Sequence, residues 1–423
     1  MRGRRHPAGP VAYALAALGL CAAGGVRTAV GAEWYAAPAV RLQAGYDDNP
    51  RFAISGGRAT EVFDLAPTLE LGARAPRWGA TVVGGAHLRR YPRESDLNRN
   101  DNNVDVSSYY DAQRLRWSLD GSFVRSSLLG TTQGSGPQAP LVQFQSQAST
   151  GTANPSLTWQ ITPTDLVKWS YLFQDTEYQD EALLGLSSFR YQQGSVTYQH
   201  DFGSRLQVFA VPSYSVFDVP ANGFQSRTAS LRVGVMRVFS PTLSATVSIG
   251  GRRTQLSGTQ SVPQFGIRLI KGQLVLVQVG TRSVPVSALN TGVTVDASFT
   301  KQLERGRLRG SFTRSLSPNG LGTEVDTNVL TLALDHRISR RLSGSLSLNL
   351  LRARTIGVSV PTSADRDWAR LSPSLSWRWT PRATVDLSYA YTWTRVQPDS
   401  RIARDNVIYL TLSYRWPRIT LSR

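Results

Sequence analysis

The feature that most restricts this chain is its last extended stretch, Asn406 to Trp416, which reads Asn-Val-Ile-Tyr-Leu-Thr-Leu-Ser-Tyr-Arg-Trp. Side chains alternate across a strand, so Ile408, Leu410, Leu412, Tyr414 and Trp416 share one face, and Tyr409, Thr411, Ser413 and Arg415 share the other. One unbroken apolar face backed by a polar one suits a closed barrel with hydrocarbon outside and water inside. The competing reading is the edge strand of a soluble sandwich. The chain continues past Trp416, through Pro417 to Arg423.

The first residues read as a secretory leader. Arg2, Arg4 and Arg5 form a basic head, Val11 to Ala23 is apolar, and Val30-Gly31-Ala32 offers small residues before a cut at Glu33. The apolar run is short for a membrane anchor. Cys21 would fit a lipid anchor, but Leu20 stands where such a signal wants Gly or Ala. Removal of residues 1–32 would take away the single cysteine and leave 33–423 without disulfides.

No composition shift or linker divides the remainder, and no long segment carries helical periodicity. Gly, Ser, Thr and aromatics abound, whereas lysine occurs only at 168, 271 and 301. The 47 basic residues, less four in the leader, against 29 acidic ones leave +14. A basic chain can signal nucleic acid. In an exported barrel the partner is instead lipopolysaccharide or an acidic polymer, and an arginine-favouring base composition also accounts for such a balance.

Extended segments alternate with two kinds of connection. Tight turns are expected near Ala75–Arg77, Asp111–Arg114, Thr162–Asp165, Asp201–Ser204, Ser240–Thr242, Lys301–Arg305, Arg337–Arg340 and Thr380–Arg382. Long loops are expected near 92–102, 126–150, 175–187, 218–226, 255–291, 315–322, 355–366 and 396–405. Short turns at one rim and long loops at the other are the habit of transmembrane barrels, with the turns periplasmic. The expectation is all-β: one antiparallel transmembrane barrel of about 18 strands, with 16 and 20 as alternatives. The open question is 255–291, where Ile267 to Val279 forms either a hairpin above the membrane or an inward constriction. Trp78, Trp117, Trp159, Trp169, Trp377, Trp379 and Trp416 lie near the tight-turn rim, and Trp368 and Trp393 near the other, as interfacial belts require.

With the apolar faces outward, the candidate lumen cations are Arg41, Arg116, Lys168, Arg205, Arg232, Arg252, Arg307, Arg309, Arg370, Arg378 and Arg415. Asp64, Glu70, Asp120, Asp296 and Asp386 join them, with serine runs at 343, 345 and 347 and at 372, 374 and 376. A wet, positively biased bore favours anions. The bland alternative is that these arginines pair with lumen acids and stiffen the wall. Catalysis has little support. His200 and His336 fall at turns, and His87 has no acid or serine beside it by spacing. No paired-histidine or cysteine spacing points to a metal or cofactor. A plugged transporter lacks room before the first strand. In a diffusion porin, the 126–150 loop would be the inward constriction.

Two stretches carry a family resemblance. Arg41-Leu42-Gln43-Ala44-Gly45-Tyr46-Asp47-Asp48-Asn49, followed by Phe63-Asp64-Leu65-Ala66-Pro67-Thr68-Leu69-Glu70-Leu71, resembles outer-membrane β-barrel porins of exopolysaccharide and exosortase-type loci. The final strand, with Ile408, Leu410, Leu412, Tyr414 and Trp416, resembles the C-terminal insertion signal read by the barrel assembly machinery. The resemblance implies a non-enzymatic outer-membrane protein that exports or handles an anionic polysaccharide, with no catalytic residues to carry over. A porin for small anionic solutes and a closed structural or receptor barrel are the alternatives.

Overall fold

The computed structural model describes residues 32–128, 146–179, 181, 186–221, 223–270, 272–356, 365–397 and 401–420. The expected leader and most of the 126–150 loop therefore lie outside the described residues. Eighteen long strands follow one another with nearest-neighbour antiparallel pairing. The first nine are β1 (Glu33–Asp47), β2 (Thr60–Arg74), β3 (Trp78–Arg90), β4 (Arg99–Asp111), β5 (Leu115–Ser127), β6 (Gln147–Gln160), β7 (Asp165–Tyr178), β8 (Phe189–Asp201) and β9 (Leu206–Val219). The rest are β10 (Phe224–Ser240), β11 (Leu243–Ile270), β12 (Gln273–Leu303), β13 (Gly306–Asn319), β14 (Thr323–Arg337), β15 (Leu342–Thr355), β16 (Arg366–Arg378), β17 (Ala383–Val396) and β18 (Arg401–Arg415). Pairing of β1 with β18, from Ala39 opposite Arg415 to Asp47 opposite Val407, closes the wall. Beyond Pro417, the two-residue β19 (Ile419–Thr420) extends that seam against Tyr35 and Ala36.

Exposure along β18 shows which face is which. Ile408, Leu410 and Trp416 are 46%, 55% and 45% exposed, while Val407, Tyr409 and Thr411 between them are at most 7% exposed. Large exposed apolar side chains recur at alternate positions around the wall, among them Leu65, Leu231, Val247, Leu346 and Leu387. In water such a surface would be untenable. Against hydrocarbon it is the required one, and closing the sheet leaves no unpaired edge within the bilayer. The chain is an outer-membrane β-barrel.

All eight expected tight turns are present, and local chemistry sets them. Thr380 Oγ1 accepts the Ala383 N–H at 2.9 Å, and Ser339 Oγ accepts the Leu342 N–H at 3.0 Å. The Ala75 N–H reaches the Trp78 carbonyl at 2.9 Å. Outward indoles gather above these turns, with Trp159 stacked on Trp169 and Trp377 on Trp379. Trp368 departs from the expected belt. The pairing of β15 with β16 puts it opposite Leu351 on the inner face, where it packs against a buried cluster.

The long-loop rim differs from expectation, because the strands climb higher than the turn residues suggest. Most of 218–226 and 315–322 is strand, and β18 begins at Arg401, inside the expected 396–405 loop. The 255–291 insertion is the main surprise. Strands β11 and β12 continue to pair up to Ile270 opposite Gln273, forming a two-stranded ribbon well beyond the wall. Gly272, at φ 78°, makes the turn, and Leu274 bridges to Ser55 in the connection between β1 and β2. Since β1 and β2 lie across the wall from β11 and β12, the ribbon folds over the mouth. Below it the wall splays: β12 and β13 pair only up to Val295 opposite Arg314. The upper ends of β13 and β14 then bend inward. Ser226 of β10 bonds to Glu324, Arg252 of β11 lies 3.4 Å from Asp326, and the Ser187 N–H meets the Gly320 carbonyl at 2.8 Å.

Candidate functional site

The interior has two unlike halves. Near the long-loop rim, inward side chains form three dry clusters. Val62, Tyr91, Leu97, Val407 and Tyr409 make one. A second joins Phe189, Phe217, Val219, Phe224, Leu256 and Ile356. The third brings Leu186 and Leu321 from connections onto Val325, Leu351 and Ala353 of the wall. Arg51 anchors the filling of the mouth, its guanidinium 2.8 Å from Glu94 and 2.5 Å from Asp96. Burial alone would lower the Arg51 pKa, but the hydrogen bonds to Glu94 and Asp96 more than offset it and raise it.

Toward the tight-turn rim the inner face is polar and open. The two expected serine runs face each other: Ser343 lies opposite Ser376, and Ser345 Oγ is 2.7 Å from Ser374 Oγ. Alternation and register place Arg41, Arg116, Lys168, Arg232, Arg252, Arg307, Arg309, Arg370, Arg378 and Arg415 on the inner face, Arg252 buried higher up, with Arg205 in the turn just before β9. Three pair with carboxylates: Arg116 with Asp111 at 3.6 Å, Arg252 with Asp326 at 3.4 Å and Arg309 with Asp335 at 2.6 Å. Arg41 reaches His87 Nδ1 at 3.3 Å. Among the described residues, Lys168, Arg205, Arg232, Arg307, Arg378 and Arg415 have no carboxylate within ion-pair distance. All of these except Arg232 are exposed and lie within about four residues of the tight-turn end. They form a ring of positive charge at the periplasmic mouth.

The fold also assembles groups that spacing along the chain could not show. His87, expected to stand without an acid, has Asp64 Oδ1 at 3.8 Å across the neighbouring strand, and Asp64 also holds Arg89 at 2.9 Å. His200 Nδ1 is 2.8 Å from Asp165 in a turn network with Thr162 and Tyr198. Each acid already has other partners and no serine joins either pair, so both are wall contacts. Asp47, Asp48 and Asp405 bring carboxylate oxygens within 4.8 Å of one another at the seam. Such a trio suits a hard cation in kind but falls short of the six to eight oxygens calcium takes. The seam carboxylates come from the first and last strands, and no sequence-local signal announces them, whereas the Asp64–Arg89 pair follows from the register of the β2–β3 hairpin.

No family model matches the sequence, and neither does any curated protein. Among solved structures, the outer membrane protein opdK of Pseudomonas aeruginosa is similar at 10% identity and a TM-score of 0.45, over 91% of this chain and 99% of that one. OccAB3 of Acinetobacter baumannii stands at 9% and 0.45, with coverage of 91% and 99%. OccK2 (OpdF) of P. aeruginosa, solved with glucuronate, stands at 10% and 0.46, over 92% of this chain and 98% of that one.

Proposed function

We propose that this barrel, exported with the aid of a leader at residues 1–32, is a non-enzymatic channel for small anionic solutes. The observation that carries this is the ring of unpaired cations, Lys168, Arg205, Arg307, Arg378 and Arg415, at the inner tight-turn mouth. Wall-stiffening arginines would have carboxylate partners, and these have none among the described residues. A ring of one charge sign facing water raises the local concentration of opposite ions and biases entry. The packed outer half argues for small cargo. A sugar chain would have to part all three dry clusters together, whereas a small solute needs only one local opening.

Passage of an anionic exopolysaccharide is the second reading. It is favoured by the position of the ring at the periplasmic side, where a polymer made inside would enter. Planar-bilayer recordings test both. The expected result is chloride preference over potassium, reversed by Lys168→Glu, Arg205→Glu and Arg415→Glu together, with small organic anions permeant. Cation preference in the unaltered protein would overturn the channel reading. Block that strengthens with acidic polysaccharide length would favour the polymer.

A further inference from the structure

The outer surface carries a site that the channel does not use. On four adjacent strands, the outward side chains change from apolar to charged at the same height, to arginine on three of them. On β15 the run Leu346, Leu348, Leu350 gives way to Arg352 and Arg354, and on β17 Leu387, Tyr389, Tyr391 and Trp393 give way to Arg395. On β18 Leu410 and Ile408 are followed by Asn406 and Arg404. The outward end of β16 supplies Asp367, and three guanidiniums converge on it: Arg352 Nε at 3.0 Å, Arg354 at 2.9 Å and Arg395 at 2.5 Å. Asp365 lies nearby, taking the Thr355 N–H at 2.5 Å. Arg404 has no acid within ion-pair distance among the described residues. Of the other acids nearby, Asp326, opposite Arg354, pairs with Arg314, and Asp48 bonds to Asn406, so three arginines share Asp367 and Arg404 is left over. Other outward arginines of this rim have partners of their own: Arg190 faces Asp175 at 3.6 Å, Arg125 bonds to Gln147 at 2.9 Å, and Arg93 meets Glu61 at 2.7 Å.

Farther down these same strands, in the tight-turn half of the wall, lies a groove of about 410 Å³, lined by His336, Gly344, Leu346, Leu375, Leu387 and Ile408. At about 3.3 Å per residue, the upper edge of the groove at Ile408 is ~13 Å along β18 from Arg404, whereas Leu346 and Leu387 are ~26 Å along their strands from Arg354 and Arg395. Directly below the arginines run the outward Leu348 and Leu350 of β15, Leu371 of β16 and Tyr391 of β17, at the depth of the first part of an acyl chain. A second outer groove, of about 610 Å³ and flanked by Trp117, Trp169 and Tyr214, has no arginine cluster above it. It therefore provides a comparison within the same wall.

We infer that Arg352, Arg354, Arg395 and Arg404 bind the phosphate of a phosphorylated, acylated glycolipid of the outer leaflet, that is, lipopolysaccharide, with its acyl chains against the outward leucines and tyrosines beneath. Arginine forks are well suited to phosphate oxygens, and Asp367 holds three of them pre-aligned so that little ordering remains on binding. The site is independent of the bore and of the channel reading.

The test uses the full-length barrel in mild detergent, delipidated and titrated with lipopolysaccharide, with bound lipid counted by native mass spectrometry. A variant combining Arg352→Gln, Arg354→Gln, Arg395→Gln and Asp367→Asn strands no buried charge. It should bind about tenfold more weakly. Dephosphorylated lipopolysaccharide should bind the unaltered protein as weakly as the variant binds the intact lipid, and millimolar inorganic phosphate should not displace the lipid. Arg404→Gln, outside the Asp367 network and harmless to folding, should cost about two- to fivefold and decides the matter should the fourfold variant not close. Undiminished binding in either folded variant, equal affinity for the dephosphorylated lipid, or displacement by free phosphate would each overturn the assignment.

Discussion

Arg51 shows how much the mouth depends on single contacts. Its side chain and that of Glu94 are 4% and 3% exposed, so neither charge can fall back on water. Removing one member of such a pair leaves the other buried and uncompensated, which costs about 3–5 kcal/mol. Arg51→Met should therefore lower stability by that amount in urea unfolding, and adding Glu94→Leu should restore most of it. Loss of the same size in the double variant would mean that packing, not charge, holds the connection. Gly45 is a second fulcrum. A Cβ there would run into the Tyr409 ring and the Ile408 carbonyl across the closing seam. Gly45→Ala should cost about 1–3 kcal/mol by overpacking, read as an earlier thermal transition. The ring covers the glycine because only a residue without a side chain lets it lie flat on the inner wall.

The last strand states the rule of the wall at the scale of an element. Leu410 faces hydrocarbon and Ser413 faces the bore, three residues apart on the same ladder. Leu410→Arg should destabilise the barrel by about 2–4 kcal/mol, the usual cost of an arginine at the bilayer midplane. Ser413→Arg should be tolerated, since its side chain reaches water. Equal cost at both positions, in unfolding from lipid vesicles, would contradict the assigned faces. The outward set Ile408, Leu410, Leu412, Tyr414 and Trp416 ends in an edge-to-face pair, Tyr414 against Trp416 at 4.9 Å. Beyond it Pro417 lacks a backbone donor, and pairing resumes only at Ile419.

At the scale of the molecule, the ribbon of β11 and β12 couples opposite sides of the mouth. It leaves the wall where β12 loses β13, and its tip meets the connection after β1. Replacing residues 262–282 with a tight turn removes that bridge while keeping the wall ladder below Ser261 opposite Ser283. The expected outcome is a barrel that still closes but spends a larger fraction of time conducting in bilayer recordings. An unchanged open fraction would show that the dry clusters alone close the outer half.

The wall was legible in the sequence because its determinants are local. A period of two assigns each residue a face, and Thr-Pro, Ala-Pro and Ser-Pro turns set the short rim, so the strand number, the outward aromatics and the alternation of Arg41 with Leu42 could be read from neighbours along the chain. The filling of the bore was not legible. Leu186 meeting Leu321, Arg252 meeting Asp326 and Asp47 meeting Asp405 depend on curvature summed over many strands. The ribbon was legible only as one of two options, a hairpin above the membrane or an inward constriction, since its bridge from Leu274 to Ser55 joins opposite sides of the wall. Alternation is a property of two adjacent residues, whereas contact across a barrel is a property of the whole circumference. The sequence thus determined which side chains face lipid and which face water, and only the closed, splayed tertiary structure decided which inward side chains touch.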